Sequence, residues 1–204
     1  MPGVGGAGPE SEDPDAPASR RFSPPPRVTR NAGLNRFTWD VRNQAGITVP
    51  PGNYQARLKL GSASYTESLN VLIDPRVAED GVTVADLQEQ FEHNMRMRAL
   101  VNDVNQLVTR VREAQTRLRN TSTGPDSLTR VNTLAAKLMT EPVRYGKPGL
   151  QAHITYLAGM TTGADQKIGR DALARYAVLK KELDELRAEA DRILGPPGMN
   201  TGER

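Results

Sequence analysis

Cysteine is absent from the 204 residues of this chain, and the chain has only 1 Trp, 5 Tyr and 3 Phe. The lack of cysteine excludes disulfides, thiolate nucleophiles and cysteine-ligated zinc, although it does not fix the redox compartment. No stretch approaches the roughly 18 consecutive apolar residues of a membrane-spanning helix. The N-terminus is rich in glycine, proline and acidic residues, unlike a signal peptide. The sequence therefore predicts no membrane partner and no signal peptide in this chain.

Neither sign of charge predominates, because the chain has 27 basic and 24 acidic residues and a formal net charge of +3. The two signs are spread evenly, because residues 1–80 hold nine basic and nine acidic groups and residues 81–204 hold eighteen and fifteen. A nucleic-acid surface needs basic residues gathered on one face, with aromatic or base-reading side chains among them. The sequence therefore predicts that nucleic acid is not a partner.

Residues 1–26 have few large apolar side chains and many glycines and prolines. Such a segment cannot bury enough apolar surface to offset the entropy of an ordered chain. We therefore expect a disordered tail here. The Gly3–Gly8 run contains a G-x-G spacing, but no strand precedes it and no amphipathic helix follows it, so it predicts no phosphate-binding loop and no cofactor.

Apolar and polar residues alternate with a period of two between Leu34 and Ile73. This alternation is typical of half-buried strands, and it predicts three of them, around Phe37–Val41, Tyr54–Leu60 and Tyr65–Ile73. Gly61 and Ser62 are expected to form the hairpin turn between the second and third strands.

From Thr83 the apolar period becomes helical. Thr83 with Asp86 predicts the N-cap of a long helix that could extend to Arg119. Three further helices are expected: one opening at Pro125, a short one around Ile154 and Leu157, and a last one over Gly169–Leu194. Short connections predict an antiparallel bundle whose main pair is the long first helix and the last helix.

No pattern of catalytic or metal-ligating residues emerges. His93 and His153 are the only histidines, and neither has a second ligand at helical spacing, so we interpret both as surface or partly packed side chains and predict no metal site. A glycosidase needs two carboxylates that flank a sugar, and Asp40 and Asp74 lie on or beside strands without any further supporting feature, so we interpret them as solvated strand and turn residues. Trp39 is the one candidate ligand contact, because a Trp on a sheet can stack on a sugar ring, although packing in a core is the favoured interpretation.

Three strings in the strand region are distinctive together: Gly33–Arg42 (GLNRFTWDVR), Val49–Leu58 (VPPGNYQARL) and Val71–Arg76 (VLIDPR), followed by Asp86–Phe91 (DLQEQF). Over about residues 30–194 the chain resembles the C-terminal region of bacterial sortilin-like, BNR-repeat β-propeller proteins that are labelled glycosyl hydrolases. The resemblance implies Ig-like strands followed by a helical tail, and export to the periplasm or the exterior. The propeller box Ser-x-Asp-x-Gly-x-x-Trp does not occur in this sequence.

The expected organisation is α+β. It comprises a disordered tail (1–26), a partial Ig-like antiparallel domain of three strands (30–76), a helical bundle (83–194) and a flexible C-terminus (195–204). The expected function is a non-catalytic accessory or interaction module whose partner is a propeller domain. Two alternatives stay open: a fragment that contributes residues to a glycosidase site, and a free-standing helical interaction protein. The sequence identifies neither the ligand nor the oligomeric state.

Overall fold

The computed structural model describes residues 31–120 and 125–196. The chain divides into two units, Met1–Asp40 and Val41–Arg204. The predicted disorder of residues 1–26 lies outside the described residues, as do residues 197–204 of the predicted flexible C-terminus. Within the first unit, residues 31–40 form neither helix nor strand, and the Asn35 amide donates to the carbonyl oxygens of Asn31 and Gly33.

The sheet consists of two antiparallel strands, β1 (Gly52–Leu60) and β2 (Ala63–Val71). Their register runs from Gly52 opposite Val71 to Leu60 opposite Ala63, which leaves Gly61 and Ser62 as the turn. Gly61 has a φ of +59°, as this tight turn requires of one of its residues. The predicted hairpin is therefore confirmed.

The strand predicted around Phe37–Val41 is not formed, so the expectation of a three-stranded Ig-like sheet is wrong for the described residues. Val41 has a φ of +59°, which a β-branched residue rarely adopts and which ends an extended run. Asn43 then accepts hydrogen bonds from the backbone of Ala45 and Ile47 through its side-chain oxygen, both at 3.0 Å. This turn folds the chain back on itself and leaves a single isolated bridge between Arg42 and Thr48.

Within residues 31–120 and 125–196, five helices follow the hairpin: α1 (Pro75–Glu79), α2 (Val84–Arg119), α3 (Pro125–Leu138), α4 (Leu150–Thr162) and α5 (Arg170–Leu194). The four predicted helices are confirmed. The short α1 was not predicted, although Asp74 caps it by accepting from the backbone N–H of Arg76 at 2.9 Å. Pro75 at the first helical position, with its fixed φ, also favours this turn of helix.

The start of α2 is fixed by a capping box. The backbone N–H of Asp86 donates to the Thr83 hydroxyl oxygen at 3.1 Å, and the backbone N–H of Thr83 donates to the Asp86 carboxylate at 2.9 Å. Two backbone donors that the helix itself leaves unpaired are thereby satisfied. Thr83 is the N-cap that the sequence predicted.

Polar contacts between helices define their directions. Side chains of α2 at Gln90 and Asn105 contact Thr161 and Gln151 of α4, so α4 runs antiparallel to α2. A further contact, between Gln115 and Asn132, places α3 beside the C-terminal half of α2.

Helix α5 runs parallel to α2. Its residues Tyr176, Arg187 and Asp191 contact residues of α2 that rise along the chain in the same order: His93, Asp103 and Arg110.

The bundle is therefore an up-down-up arrangement of α2, then α3 and α4 in succession, then α5. Helix α2 packs more extensively on α3 and α4 than on α5. The prediction that the first and last helices form the main pair of the bundle is thus wrong. The chain is not helical at Glu141 and Pro142, so the segment antiparallel to α2 consists of two helices, α3 and α4. The four long helices therefore form three columns of the bundle: α2, α3 together with α4, and α5.

One contiguous core joins the four long helices. Its fully or almost fully buried apolar residues lie at spacings of three and four along each helix, which is the periodicity that predicted them. The members are Met97, Leu100, Val104, Leu107, Val108, Val111, Ala114, Val131, Leu134, Ala135, Leu138, Leu150, Ile154, Leu157, Leu179, Leu183, Leu186 and Ala190.

Candidate functional site

The hairpin has two chemically different faces. Because side chains alternate along a strand, the register places apolar cross-strand pairs on one side and polar pairs on the other. The apolar face comprises Tyr54, Ala56, Leu58, Leu60, Ala63, Tyr65, Leu69 and Val71, with Glu67 as its one charged residue. The opposite face carries Asn53, Gln55, Arg57, Lys59, Ser64, Thr66, Ser68 and Asn70.

The apolar face is uncovered toward the turn. Leu58 is 55% exposed, Leu60 71% and Tyr65 61%, whereas Tyr54 and Leu69 at the other end are half-buried. Among the described helices and strands, each strand packs only against the other. Both strands are therefore edges, and the apolar side of the hairpin faces solvent where a sheet would ordinarily rest on a core.

A second feature is a cluster of buried polar side chains in the N-terminal half of α2. Gln90, His93 and Asn94 are spaced by three and four residues, so they share one face of the helix with the core residue Met97. With Thr161 of α4 they are the only buried polar or charged side chains among the described residues. We refer to Gln90, His93, Asn94 and Thr161 as the polar junction.

The two amides of the polar junction hold the end of α4. Gln90 donates through Nε2 to the carbonyl oxygens of Thr161, at 2.9 Å, and Ala164, at 2.7 Å, and Asn94 donates through Nδ2 to the Thr161 carbonyl at 3.0 Å. Gln90 also accepts from the backbone N–H of Gln166 at 3.1 Å. The last carbonyls of a helix have no partner within it, so these amides of α2 act as a C-cap in trans.

Two members of the polar junction keep unpaired polar atoms: the amide oxygen of Asn94 and both ring nitrogens of the fully buried His93 have no hydrogen-bond partner among the described residues. The His93 ring lies edge-on to Tyr176 of α5, with the centroids 5.8 Å apart. Burial lowers the pKa of His93, the positive charge of Arg96 lowers it further, and Glu89 opposes both. The imidazole is thus held in its neutral form.

The residues singled out from the sequence do not come together. Trp39 is half-buried in the first unit, and no strand places it on a sheet, so its role in sugar stacking stays a prediction. His153 is an exposed residue of α4, as predicted. The prediction for His93 is wrong, because that side chain is fully buried rather than on the surface or partly packed.

The two aspartates considered for a glycosidase role also differ from each other. Asp40 is exposed. Asp74 caps α1 and forms an ion pair with Arg76 at 2.7 Å. Its hydrogen bonds to Arg76 lower the pKa of Asp74, so this carboxyl is held ionised.

The polar junction left a signal in the sequence that periodicity alone misses. On the buried face of α2 the apolar stripe is interrupted between Leu87 and Met97, and the positions that continue the three-and-four spacing there are Gln90, His93 and Asn94. Polar residues at stripe positions imply buried polar groups that need partners. Those partners lie some 70 residues away in sequence, at the end of α4, so their identity needs the folded chain.

Comparison with models of known protein families, with curated proteins and with solved structures gives no match to this chain. Among the described residues, no helix is both long and apolar enough to span a membrane. The same part of the chain holds no group of three or more His, Asp or Glu side chains placed to bind a metal ion.

Proposed function

We propose that this chain is a non-catalytic interaction module whose hairpin docks on a β-sheet partner. The observation that carries the proposal is the uncovered apolar face of β1 and β2, with Leu58, Leu60 and Tyr65 in solvent. A two-stranded hairpin is marginal in water unless something packs on it, so an occupant of this face would stabilise the hairpin as well as bind it.

The partner we propose is the propeller domain of a sortilin-like, BNR-repeat protein. Support comes from the sequence strings around Gly33–Arg42 and Val49–Leu58, and from the chemistry of the hairpin. Its two open edges present backbone N–H and C=O groups that a strand of the partner can pair with, and a second layer of the partner can cover the apolar face. Glu67, opposite Ala56, lies in the middle of this face, so the partner has to leave its carboxylate in solvent or offer it a hydrogen-bond donor.

A direct test measures binding of the full chain to a purified sortilin-like propeller domain from the same source, by isothermal titration calorimetry. Leu58 and Tyr65 form a cross-strand pair on the apolar face, and Arg57 and Thr66 form the neighbouring pair on the polar face. We expect L58S/Y65S to weaken binding at least about tenfold, because buried anchors dominate interface energies. The matched control R57S/T66S should bind within roughly twofold of the unsubstituted chain.

Three results would contradict the proposal. Failure of the unsubstituted chain to bind the propeller would exclude that partner. Equal binding by both double variants would show that the interface lies outside the apolar face. Dimerisation of the chain alone in sedimentation experiments, if abolished by L58S/Y65S, would identify a second copy as the occupant.

The non-catalytic part of the proposal is supported by the state of Asp74. A glycosidase acid needs a carboxyl whose pKa is raised so that it carries a proton, whereas the pKa of Asp74 is lowered by Arg76. We expect no hydrolysis of aryl glycosides by the full chain. Turnover that disappears in D74N or D40N would replace the interaction module with the enzyme hypothesis.

A further inference from the structure

The polar junction contains one titratable side chain, His93, at the point where α2, the end of α4 and the start of α5 meet. Gln90 and Asn94 on either side of it are fixed to the last carbonyls of α4, and Tyr176 covers it from α5. His93 has no exposed surface. Any change in its charge therefore acts on three elements of the bundle at once.

The amide oxygen of Asn94 is the one unpaired buried acceptor in the polar junction, and neither ring nitrogen of His93 is hydrogen-bonded to it. The other groups around His93 offer little to an added proton. From α2 it meets the charges of Arg96 and Glu89, which oppose each other, with the effect of Arg96 the larger. From α5 it meets the Tyr176 ring in an edge-to-face arrangement, and the Arg96 guanidinium lies over the same ring, 5.9 Å from its centroid. From α4 the polar junction presents the neutral hydroxyl and carbonyl of Thr161, and that carbonyl already accepts from two amides.

We propose that His93 makes the polar junction an acid-sensitive joint, which loosens the contact of α5 and of the end of α4 with α2 when the imidazole gains a proton. A buried imidazolium without an acceptor is costly, and the chain can lower that cost by opening the junction to water. The α4–α5 connection, Gly163–Gly169, is the segment that such opening releases first, since Gln90 fixes it to α2 through Ala164 and Gln166.

The direction of the pH effect follows from the lowered pKa of His93. In the unfolded chain a histidine titrates near about 6.5, so below that pH the unfolded or opened state binds more protons than the folded one. The contribution of His93 to stability is therefore complete above this value and is lost as pH falls below it. Each pKa unit of separation corresponds to about a tenfold change in the opening equilibrium.

The first test uses the unsubstituted chain and depends on no variant. An NMR titration should show the His93 imidazole titrating clearly below the value of about 6.5 that a histidine has in an unfolded chain. Hydrogen exchange at about pH 5.5, corrected for intrinsic rates, should rise in peptides covering Thr161–Tyr176 relative to roughly pH 7.5, and not in Val104–Val111. Titration of His93 at or above about 6.5, or no local rise in exchange, would overturn the proposal.

The second test compares H93F with H153Q. The urea midpoint of the unsubstituted chain should fall between about pH 7.5 and roughly pH 5.5, and H93F should abolish that fall because its ring does not titrate. H153Q removes the other histidine, on the surface of α4, and should keep the fall. Retention of the fall in H93F, or its loss in H153Q, would contradict the proposal. Asp74 and Asp86, whose pKa values are lowered, titrate below this window and do not confound it.

Discussion

Single amide side chains perform at the polar junction the task that glycine C-caps usually perform at the end of a helix. Gly163, which follows α4, has a φ of −74°, so it does not adopt the left-handed C-cap conformation. Gln90 and Asn94 supply donors from α2 instead. The C-terminus of α4 is therefore hydrogen-bonded to α2, and its stability depends on the packing of the two helices rather than on the local sequence.

Replacement of Gln90 by leucine measures that dependence. Q90L keeps the side-chain volume but removes three hydrogen bonds, and it leaves the buried carbonyl of Thr161 with one donor instead of two. We expect a loss of about 2 kcal/mol in the free energy of unfolding, from urea denaturation. The control Q88L changes an exposed glutamine on the same helix, and it should stay within about 0.5 kcal/mol of the unsubstituted chain. Equal effects of the two substitutions would show that the trans C-cap contributes nothing.

The residues that the sequence predicted well are those whose partners lie close in sequence. Thr83 and Asp86 are three residues apart, so the cap that they form could be predicted from the sequence alone. His93 was misjudged because its burial depends on Tyr176 and the end of α4, which lie far along the chain. A residue's type and near neighbours do not contain that information.

At the scale of elements, the notable joint is the one between α3 and α4. A Cβ built on Gly149, the residue preceding α4, would lie 2.5 Å from the carbonyl carbon of Met139 and 2.6 Å from that of Leu138. The start of α4 therefore abuts the end of α3 at a distance that only glycine permits. This contact lets two short helices occupy one column beside the long α2.

Alanine at Gly149 and at Gly159 should have opposite effects. G149A forces a methyl group against backbone that cannot rotate away, and we expect a destabilisation of about 1–3 kcal/mol. Gly159 lies within α4 and a Cβ there meets nothing within 4 Å, so G159A should stabilise by about 0.5–1 kcal/mol through helix propensity. Thermal or urea unfolding measures both. A neutral G149A would mean that the joint relaxes and that close approach is not required there.

Helices were easier to predict than strands for a physical reason. The hydrogen bonds of a helix are internal, so the apolar period and the caps near Thr83 and Gly195 sufficed to place the long helices. A strand needs a partner strand, and Phe37–Val41 has the right alternation without one among the described residues. The left-handed Val41 and the turn at Asn43 redirect the chain instead. The arrangement of the helices within the bundle could not be predicted from the sequence either, because it depends on contacts between residues that lie far apart along the chain.

At the scale of the whole second unit, apolar burial is unevenly distributed. The helices share one contiguous core of buried residues, whereas the hairpin adds none of its own strand residues to that core. Inter-helix ion pairs, such as Lys137 with Glu189 and Arg187 with Asp103, lie on the surface and add little. We therefore expect the bundle to be more stable against local unfolding than the hairpin, because only the bundle buries a large apolar core.

Native-state hydrogen exchange should resolve this difference. Amides of β1 and β2 depend on a two-stranded ladder with an uncovered face, so they should open locally, with exchange rates insensitive to low denaturant. Amides of α2 between Val104 and Val111 lie in the core and should exchange only through global unfolding, with a strong dependence on denaturant.

The same experiment contains its own control for solvent access, because L58S/Y65S removes apolar side chains that are already in water. If nothing covers the face, this variant should leave the exchange of β1 and β2 and the global stability of the bundle almost unchanged. Bound propeller should slow hairpin exchange in the unsubstituted chain and not in the variant. Exchange in β1 and β2 as slow as in α2, without a partner, would show that the chain covers its own hairpin. The apolar face would then be part of the fold, and the docking proposal would lose its basis.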